Sequence, residues 1–205
     1  MSKHFVSNNK ESVRMFKSDF IEMFSKVHWS VPLIIYIPVI TYFIYKSIAV
    51  ENIGIILTVL LFAFGVLGWS FTEYVLHRFV FHYHPKTEFG KRLHWTFHGV
   101  HHDYPQDMYR LVMPPSISIP LAFLFYFIFI ILFGPAFTPA IFAGLVAGYL
   151  AYDTVHYAVH HFAFRNKVLL NIKKHHMKHH YIEPDEGFGV SSPLWDYVFR
   201  TKSVK

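Results

Sequence analysis

Four stretches of apolar residues, separated by polar segments, dominate the hydrophobicity pattern of this chain. A helix rises about 1.5 Å per residue, so roughly twenty apolar residues cross the ~30 Å hydrocarbon layer of a bilayer. The last two stretches are the shorter ones, because Gly134-Pro135 and Pro139 interrupt their connection, and a buried hairpin is the alternative for this pair. We expect no cleavable signal peptide before the first stretch. The predicted spans lie near 31–49, 53–71, 117–133 and 137–152.

Composition and charge support a membrane protein. Of the 205 residues, 53% are hydrophobic and only 16% are charged, against about 25% charged in an ordinary soluble domain. With four spans, eighteen of the nineteen Lys and Arg residues fall on one side of the membrane, and Lys46 is the exception. By the positive-inside rule that side is cytoplasmic. The net charge of +6 is thereby explained by membrane topology, and no nucleic-acid partner is expected.

Histidine is the unusual residue of this sequence. Fourteen of the sixteen histidines lie in the polar segments that follow the second and fourth apolar stretches, so both stretches are expected to leave the membrane on the same side and to carry imidazoles into a shared cap. Histidines three or four apart share one face of a helix. His77 and His82, five apart, are about 140° apart on an ideal helix, so they require either separate ions or a distorted helix. The groups are His77/His82, His98/His101/His102, His156/His160 and His176/His179/His180.

The number of these histidines predicts two metal ions, because zinc takes four ligands and octahedral ions take six. The absence of cysteine excludes thiolate ligands, and imidazole suits iron, zinc, copper and nickel, so the element stays open. Groups that accept the second ring N–H of a ligating histidine fix its orientation. The candidates for this supporting role are the acids Glu73 and Asp153 and the histidines His94, His161 and His175.

These features together predict an all-α integral membrane protein. Four transmembrane helices are expected to lie under a cytosolic helical cap that holds the histidine-rich dimetal site. Residues 1–30 are expected to form a cytosolic N-terminal segment, and residues 31–205 a single membrane domain.

Further motifs accompany the histidines in a definite order. Over about residues 65–201 the series resembles the fatty acid hydroxylase superfamily, and within it most closely the membrane domain of fatty acid 2-hydroxylases, the sphingolipid alpha-hydroxylases. The motifs are Glu73-Tyr-Val-Leu-His77, His94-Trp-Thr-Phe-His98, Tyr109-Arg110-Leu-Val-Met-Pro-Pro, Gly148-Tyr-Leu-Ala-Tyr-Asp153 and Gly187-Phe-Gly-Val-Ser-Ser-Pro-Leu-Trp-Asp196.

The resemblance implies O2-dependent hydroxylation at C-2 of a long fatty acyl chain, free or in a sphingolipid or ceramide, at a di-iron centre. Iron is expected because breaking an unactivated C–H bond needs a redox-active metal; zinc is redox-silent but can take its place in a purified sample. Tyr109 and Arg110, in the segment that leads back to the membrane, are candidate substrate-binding residues. The ligands that the resemblance implies are His77, His82, His98, His101, His102, His156, His160, His176, His179 and His180.

The sequence departs from the family pattern in two places. We expect no fused cytochrome b5-like domain of the kind found in the family, so the expected partners beside the membrane lipid substrate are a separate electron donor, cytochrome b5-like or ferredoxin-like, and its reductase. Phe199-Arg200-Thr201 stands where Phe-Gly-Thr is common, a peripheral change. Both termini and the histidines are expected in the cytosol, at the endoplasmic reticulum of a eukaryote or the inner membrane of a bacterium.

Three other functions are alternatives. A sterol desaturase or carotenoid hydroxylase would share the histidine groups and the membrane layout and differ in substrate. A membrane zinc hydrolase would need an added general base, and the sequence contains no H-E-x-x-H motif. A divalent-metal transporter would place polar ligands near the bilayer centre, where the predicted spans are apolar.

Overall fold

Helices make up the regular secondary structure of the protein. The computed structural model describes residues 5–202, and every regular element in that range is helical. Three helices are long and apolar enough to cross a membrane: Ser30–Val50, Ile55–Phe81 and Pro115–His161. The α-helices within the described range are α1 (Asp19–Phe24), α2 (Ser30–Tyr45), α3 (Ile55–Val75), α4 (Glu88–His94), α5 (Val100–Asp103), α6 (Pro115–His161), α7 (Lys167–Tyr181) and α8 (Leu194–Val198).

The longest helix, α6, is folded back on itself at Gly134. The backbone there has φ 75° and ψ 166°, a conformation that glycine adopts at little cost. Tyr126 and Phe142 would lie about 24 Å apart along a straight helix, yet their ring centroids are 5.2 Å apart. Helix α6 therefore consists of two antiparallel arms, 115–133 and 135–161. Pro135 is tolerated at the start of the second arm, where its missing N–H would have no helical partner.

Helices α3 and the second arm of α6 touch backbone to backbone. A Cβ atom on Gly65 would lie 2.0 Å from the Ile141 carbonyl oxygen, and one on Gly144 would lie 2.0 Å from the Phe62 carbonyl oxygen. Small residues at such positions let membrane helices approach closely. This contact sets the spacing of the two helices that carry histidines out of the bundle.

Helix α2 packs against both arms of α6. The ring of Phe43 lies 5.3 Å from that of Tyr126 in the first arm and 4.9 Å from that of Phe142 in the second. The outer faces of the bundle are apolar, and Ile56 and Ile131 are 80% and 82% exposed. Such a surface requires lipid as its solvent, so the chain is a multi-pass membrane protein.

Three α-helices run directly into a π-helical turn, in which the N–H bonds to the carbonyl five residues earlier. These turns extend α2 through Lys46–Val50, α3 through Leu76–Phe81 and α4 through Trp95–Gly99. The last two contain predicted metal-binding histidines, so each widens a helix where the site needs it.

The predicted spans agree with the helices in position and differ in length. The second predicted span, 53–71, continues to Phe81 with its π turn, and the last, 137–152, continues to His161. The predicted spans end where the apolar residues end, whereas the helices continue into the polar, histidine-rich residues that follow. Both extensions carry imidazoles out of the apolar bundle.

We expect Gly65→Ala to lower the free energy of unfolding by about 1–3 kcal/mol, the usual cost of overpacking, because the added methyl group meets backbone that cannot move aside. Gly68 is the matched control, since nothing lies within 4 Å of a Cβ atom there. Thermal unfolding of the two variants in detergent measures the difference. Equal melting temperatures for Gly65→Ala and Gly68→Ala would show that the close contact does not exist.

Candidate metal centre

Ten of the histidines in residues 5–202 gather in two groups of five. Within each group the candidate ligand atoms all lie within 4.8 Å of one another. The first cluster is partly exposed at His82 and His102, whereas every member of the second is buried. The first cluster is His77, His82, His98, His102 and His179; the second cluster is His101, His156, His160, His176 and His180.

The distorted-helix alternative for His77 and His82 is confirmed. The N–H of His82 donates to the His77 carbonyl at 3.1 Å, a bond of the π-helical turn that spans Leu76–Phe81. This wider turn brings residues five apart onto one face, and both rings belong to the first cluster.

Each H-x2-H-H group divides between the two clusters. His98 and His102 enter the first cluster and His101 enters the second, whereas His176 and His180 enter the second and His179 the first. Residues four apart differ by about 40° around a helix, and the residue three along deviates by about 60° in the other direction. The (i, i+4) pair therefore serves one cluster and the intervening histidine serves the other, a division that the expectation of one shared face did not include.

The ring nitrogens of each cluster face one another as ligands of a common ion would. In the first cluster the Nε2 atom of His98 lies 3.1 Å from that of His77 and 3.0 Å from that of His102. In the second cluster the Nε2 atoms of His160 and His176 are 2.9 Å apart. Neighbouring nitrogens bonded to one octahedral ion at about 2.1 Å are about 3 Å apart. The donor set of each cluster fits a metal ion.

Backbone carbonyls set the tautomer of two histidines in the first cluster. Nδ1 of His77 lies 2.5 Å from the Phe188 carbonyl oxygen, and Nδ1 of His179 lies 2.7 Å from the Glu186 carbonyl oxygen. A carbonyl only accepts, so Nδ1 carries the proton in both rings and Nε2 keeps its lone pair. Both rings therefore present an unprotonated Nε2 to the cluster.

Burial keeps these imidazoles neutral. His176 and His179 are 0% exposed and His180 is 1% exposed. Burial, followed by the neighbouring histidines, lowers the pKa of all three well below the usual value and lowers the pKa of His102 to about 3. A neutral imidazole is the form that binds metal ions.

The predicted supporting acids lie close to the clusters and bind backbone. Glu73 accepts hydrogen bonds from the N–H groups of Val190 and Ser191, each at 2.7 Å, and from the Ser191 hydroxyl at 2.6 Å. Asp153 accepts from the Met113 N–H at 3.4 Å. Glu73 thus holds residues 190–191 in place, and its hydrogen bonds among residues 5–202 go to these residues and not to an imidazole.

Of the three neighbouring histidines, His175 has a strong polar partner. Its Nε2 lies 2.9 Å from Oδ2 of Asp196. The His161 ring packs at a tilt against that of Tyr157, with ring centroids 4.5 Å apart, and His94 lies outside both clusters. Asp196, which the sequence offered only as part of a motif, is fully buried. Burial by itself would raise the pKa of Asp196, but hydrogen bonds from His175 and from the Gly189 N–H hold that pKa below its usual value.

Arg110 points toward the N-terminal segment. Its side chain is 3% exposed and its Nη2 donates to Glu22 at 2.5 Å; Nη1 donates to the Ser25 hydroxyl at 2.8 Å, and Nε lies 3.5 Å from Asp107. Tyr109 is 43% exposed. The role of these two residues in substrate binding stays a prediction.

An apolar cavity of about 450 Å³ adjoins both clusters. His98 of the first cluster and His101 and His156 of the second contribute to its wall. The N-terminal segment closes one side with apolar residues that include Phe16 and Phe24. The cavity gives an apolar ligand direct access to the histidines.

Lowering the pH should destabilise the metal-free protein. The unfolded chain takes up protons near the ordinary histidine pKa of about 6.5, whereas the buried imidazoles, with lowered pKa values, do not. The unfolded state therefore binds more protons below that pH, and the free energy of unfolding falls with the pH. Thermal unfolding of chelator-treated protein between about pH 7.5 and about pH 5.5 measures this effect. His176→Gln should show a smaller pH dependence than the exposed control His84→Gln, because His176 is 0% exposed. Equal pH dependence of the two variants would contradict the lowered pKa of the His176 imidazole.

Comparison with known proteins agrees with the histidine site. The family model for fatty acid hydroxylases matches residues 62–201. A dihydroceramide fatty acyl 2-hydroxylase of Arabidopsis thaliana is 42% identical over 193 residues, which cover 94% of this chain and 81% of that protein. A fatty acid 2-hydroxylase of Mus musculus is 39% identical over 211 residues, covering 92% of this chain and 56% of that protein.

A solved structure has the same fold. The hydroxylase domain visible in full-length scs7p matches with a TM-score of 0.84 and 36% sequence identity, over 90% of this chain and 70% of that one. The matched region contains both histidine clusters and the segments that support them. This chain belongs to the fatty acid hydroxylase family.

Proposed function

We propose that the protein hydroxylates C-2 of a long fatty acyl chain, either free or in a sphingolipid or ceramide, with O2 as co-substrate. The observation that carries this proposal is the pair of five-histidine clusters beside an apolar cavity, in a chain 42% identical to a dihydroceramide fatty acyl 2-hydroxylase. The curated relatives are acyl 2-hydroxylases, which favours an acyl substrate over a sterol or a carotenoid.

The ten clustered histidines are proposed as ligands of two metal ions, one in each cluster. Their neutral, facing ring nitrogens support this assignment. Iron is the proposed metal, because a bound redox-active metal would supply the O2 activation that breaks an unactivated C–H bond. One oxygen atom enters the C–H bond as a hydroxyl, and the other leaves as water after taking up a pair of electrons and a pair of protons.

The residues around the cavity have three tasks in this reaction. The apolar wall, to which Val112 and Leu121 contribute, binds the acyl chain by burial of its methylene groups and excludes water from the reacting carbon. The positions of the histidines in the cavity wall determine which carbon of the bound acyl chain lies nearest the clusters. The N-terminal segment covers the cavity.

Arg110 is proposed to hold that cover. Its guanidinium binds Glu22 and Ser25 and approaches Asp107, so most of its donors are directed at the protein. Truncating a buried, paired charge leaves its partner uncompensated. The exposed ring of Tyr109 is the better placed of the two predicted residues for contact with a lipid headgroup.

The electrons are proposed to come from a separate cytochrome b5-like or ferredoxin-like donor with its reductase. The first cluster is the nearer of the two to the surface, since His82 and His102 are partly exposed. It is therefore the proposed entry point for electrons.

The two arms of α6 are proposed to cross the membrane separately, which makes four transmembrane helices in all. The first arm, 115–133, is about 28 Å long at 1.5 Å per residue, close to the ~30 Å hydrocarbon layer. The termini and the histidine cap then share the cytosolic side, with residues 1–30 as the N-terminal segment and 31–205 as one membrane domain. In a eukaryote this membrane is proposed to be the endoplasmic reticulum, and in a bacterium the inner membrane.

Cells that express His176→Ala should lack the 2-hydroxylated acyl chains found in cells that express the wild type, because His176 is fully buried in the second cluster. Mass spectrometry of cellular lipids measures the product. His84→Ala is the matched control, since His84 is exposed and lies outside both clusters. Product from both variants, or from neither variant nor the wild type, would refute the proposed activity.

Single cysteines test the four crossings, because the natural sequence has none. A membrane-impermeant maleimide should label Lys86→Cys and Lys167→Cys from one side of sealed vesicles and Gly54→Cys from the other. Phe137→Cys, next to the bend in α6, should be labelled from the same side as Gly54→Cys. If Phe137→Cys is protected from both sides, the two arms form a buried hairpin and do not cross.

A further inference from the structure

One peptide group connects a buried carboxylate to the first histidine cluster. The N–H of Gly189 donates to Oδ2 of Asp196 at 2.8 Å, and the carbonyl of Phe188, on the same peptide group, accepts from Nδ1 of His77 at 2.5 Å. The N–H and C=O of a trans peptide point in opposite directions. The carboxylate and the imidazole are therefore held at the two ends of one rigid, polar unit.

A second peptide group repeats this arrangement for His179. The carbonyl of Glu186 accepts from Nδ1 of His179 at 2.7 Å, and the N–H of Gly187, on the same peptide group, donates to the Thr201 carbonyl at 2.8 Å. Thr201 is itself held by Asp196, since its hydroxyl donates to Oδ1 at 2.8 Å and its N–H donates to the Asp196 carbonyl at 2.9 Å. Both carbonyls that orient the first cluster thus depend on Asp196.

The local backbone leaves little room for another arrangement. Gly187 has a φ of 72°, which favours glycine. A Cβ atom on Gly189 would lie 2.1 Å from the Ser192 carbonyl oxygen and 2.9 Å from Oδ2 of Asp196. The two glycines allow both peptide groups to lie between the carboxylate and the imidazoles.

Four of the five histidines in the second cluster lack this support. Nδ1 of His101, His160, His176 and His180 is buried and has no hydrogen-bond partner among residues 5–202. The carboxylate acts on only one of the two groups of five. The two proposed metal sites should therefore respond differently to the same substitution.

We propose that Asp196 is a positioning residue for the first cluster: through the peptide group between Phe188 and Gly189, its carboxylate fixes the tautomer of His77 and strengthens Nε2 of His77 as a metal ligand. A negative charge on the N–H side polarises the peptide and makes its carbonyl a stronger acceptor. A stronger acceptor at Nδ1 raises the basicity of the ligating nitrogen. The inference rests on the proposed metal-binding role of the clusters.

Asp196→Asn tests the inference because it removes the charge and nearly preserves the shape. The full chain, purified in detergent and stripped of metal, is titrated with Co²⁺, whose visible absorption reports each ion bound. The wild type should bind two equivalents. In Asp196→Asn one equivalent should bind about 10–100-fold more weakly, the usual effect of losing such a supporting partner, while the other equivalent is unchanged. Tyr197→Phe, at the next and exposed position, is the matched control and should behave as wild type.

A double-mutant cycle separates positioning from a general loss of structure. On a His77→Ala background Asp196→Asn should have a smaller effect than in the wild type, because only the route through Thr201 to His179 then remains. On a His176→Ala background it should have its full effect, because that histidine belongs to the other cluster. Thr201→Val, which removes one hydrogen bond to Asp196 and keeps the shape, should weaken the same equivalent by less than about tenfold.

The outcomes distinguish this inference from the proposed function. If Asp196→Asn weakens both equivalents alike or neither, or if its effect depends on His176 and not on His77, the inference is wrong while the dimetal site stands. If the wild type itself binds fewer than two equivalents, the dimetal site fails and the inference fails with it.

Discussion

Each cluster holds imidazole ring nitrogens 2.9 to 3.1 Å apart in the protein interior, and a cation bound among unprotonated ring nitrogens would remove the repulsion between their lone pairs. The folded chain accepts this arrangement twice, and its remaining features hold it in place. Helices α3 and α6 meet through Gly65 and Gly144, so their histidine-bearing ends have a set separation. The burial that keeps the rings neutral also keeps out water that would satisfy their lone pairs.

Neither cluster is built from one piece of chain. Each cluster takes one pair of histidines from the end of a membrane helix and one (i, i+4) pair from the cap. The fifth member of each cluster is the remaining histidine of the H-x2-H-H group that gives its pair to the other cluster: His179 in the first cluster and His101 in the second. This exchange ties the two clusters together. Moving one cap segment would disturb both groups of ligands, which favours a site that assembles as a unit.

The segment 186–191 connects two buried acids, Glu73 and Asp196, to the first cluster. Glu73 holds the N–H groups of Val190 and Ser191, while Asp196 holds those of Phe188 and Gly189. With its N–H groups bound on one side, the segment can present carbonyls to imidazoles on the other. The cavity lies beside the same histidines, so the oriented rings and the apolar binding space meet at one place.

The sequence by itself determined the apolar helices and the four histidine groups, because helical periodicity and hydropathy are local properties. Only the tertiary structure decided which cluster each histidine joins, as the division of His98, His101 and His102 shows. It also decided that Glu73 binds backbone and that Arg110 turns toward Glu22. The sequence could not predict that the carbonyls of Glu186 and Phe188 bind imidazoles, because every residue has a carbonyl and only the fold determines which one faces an imidazole.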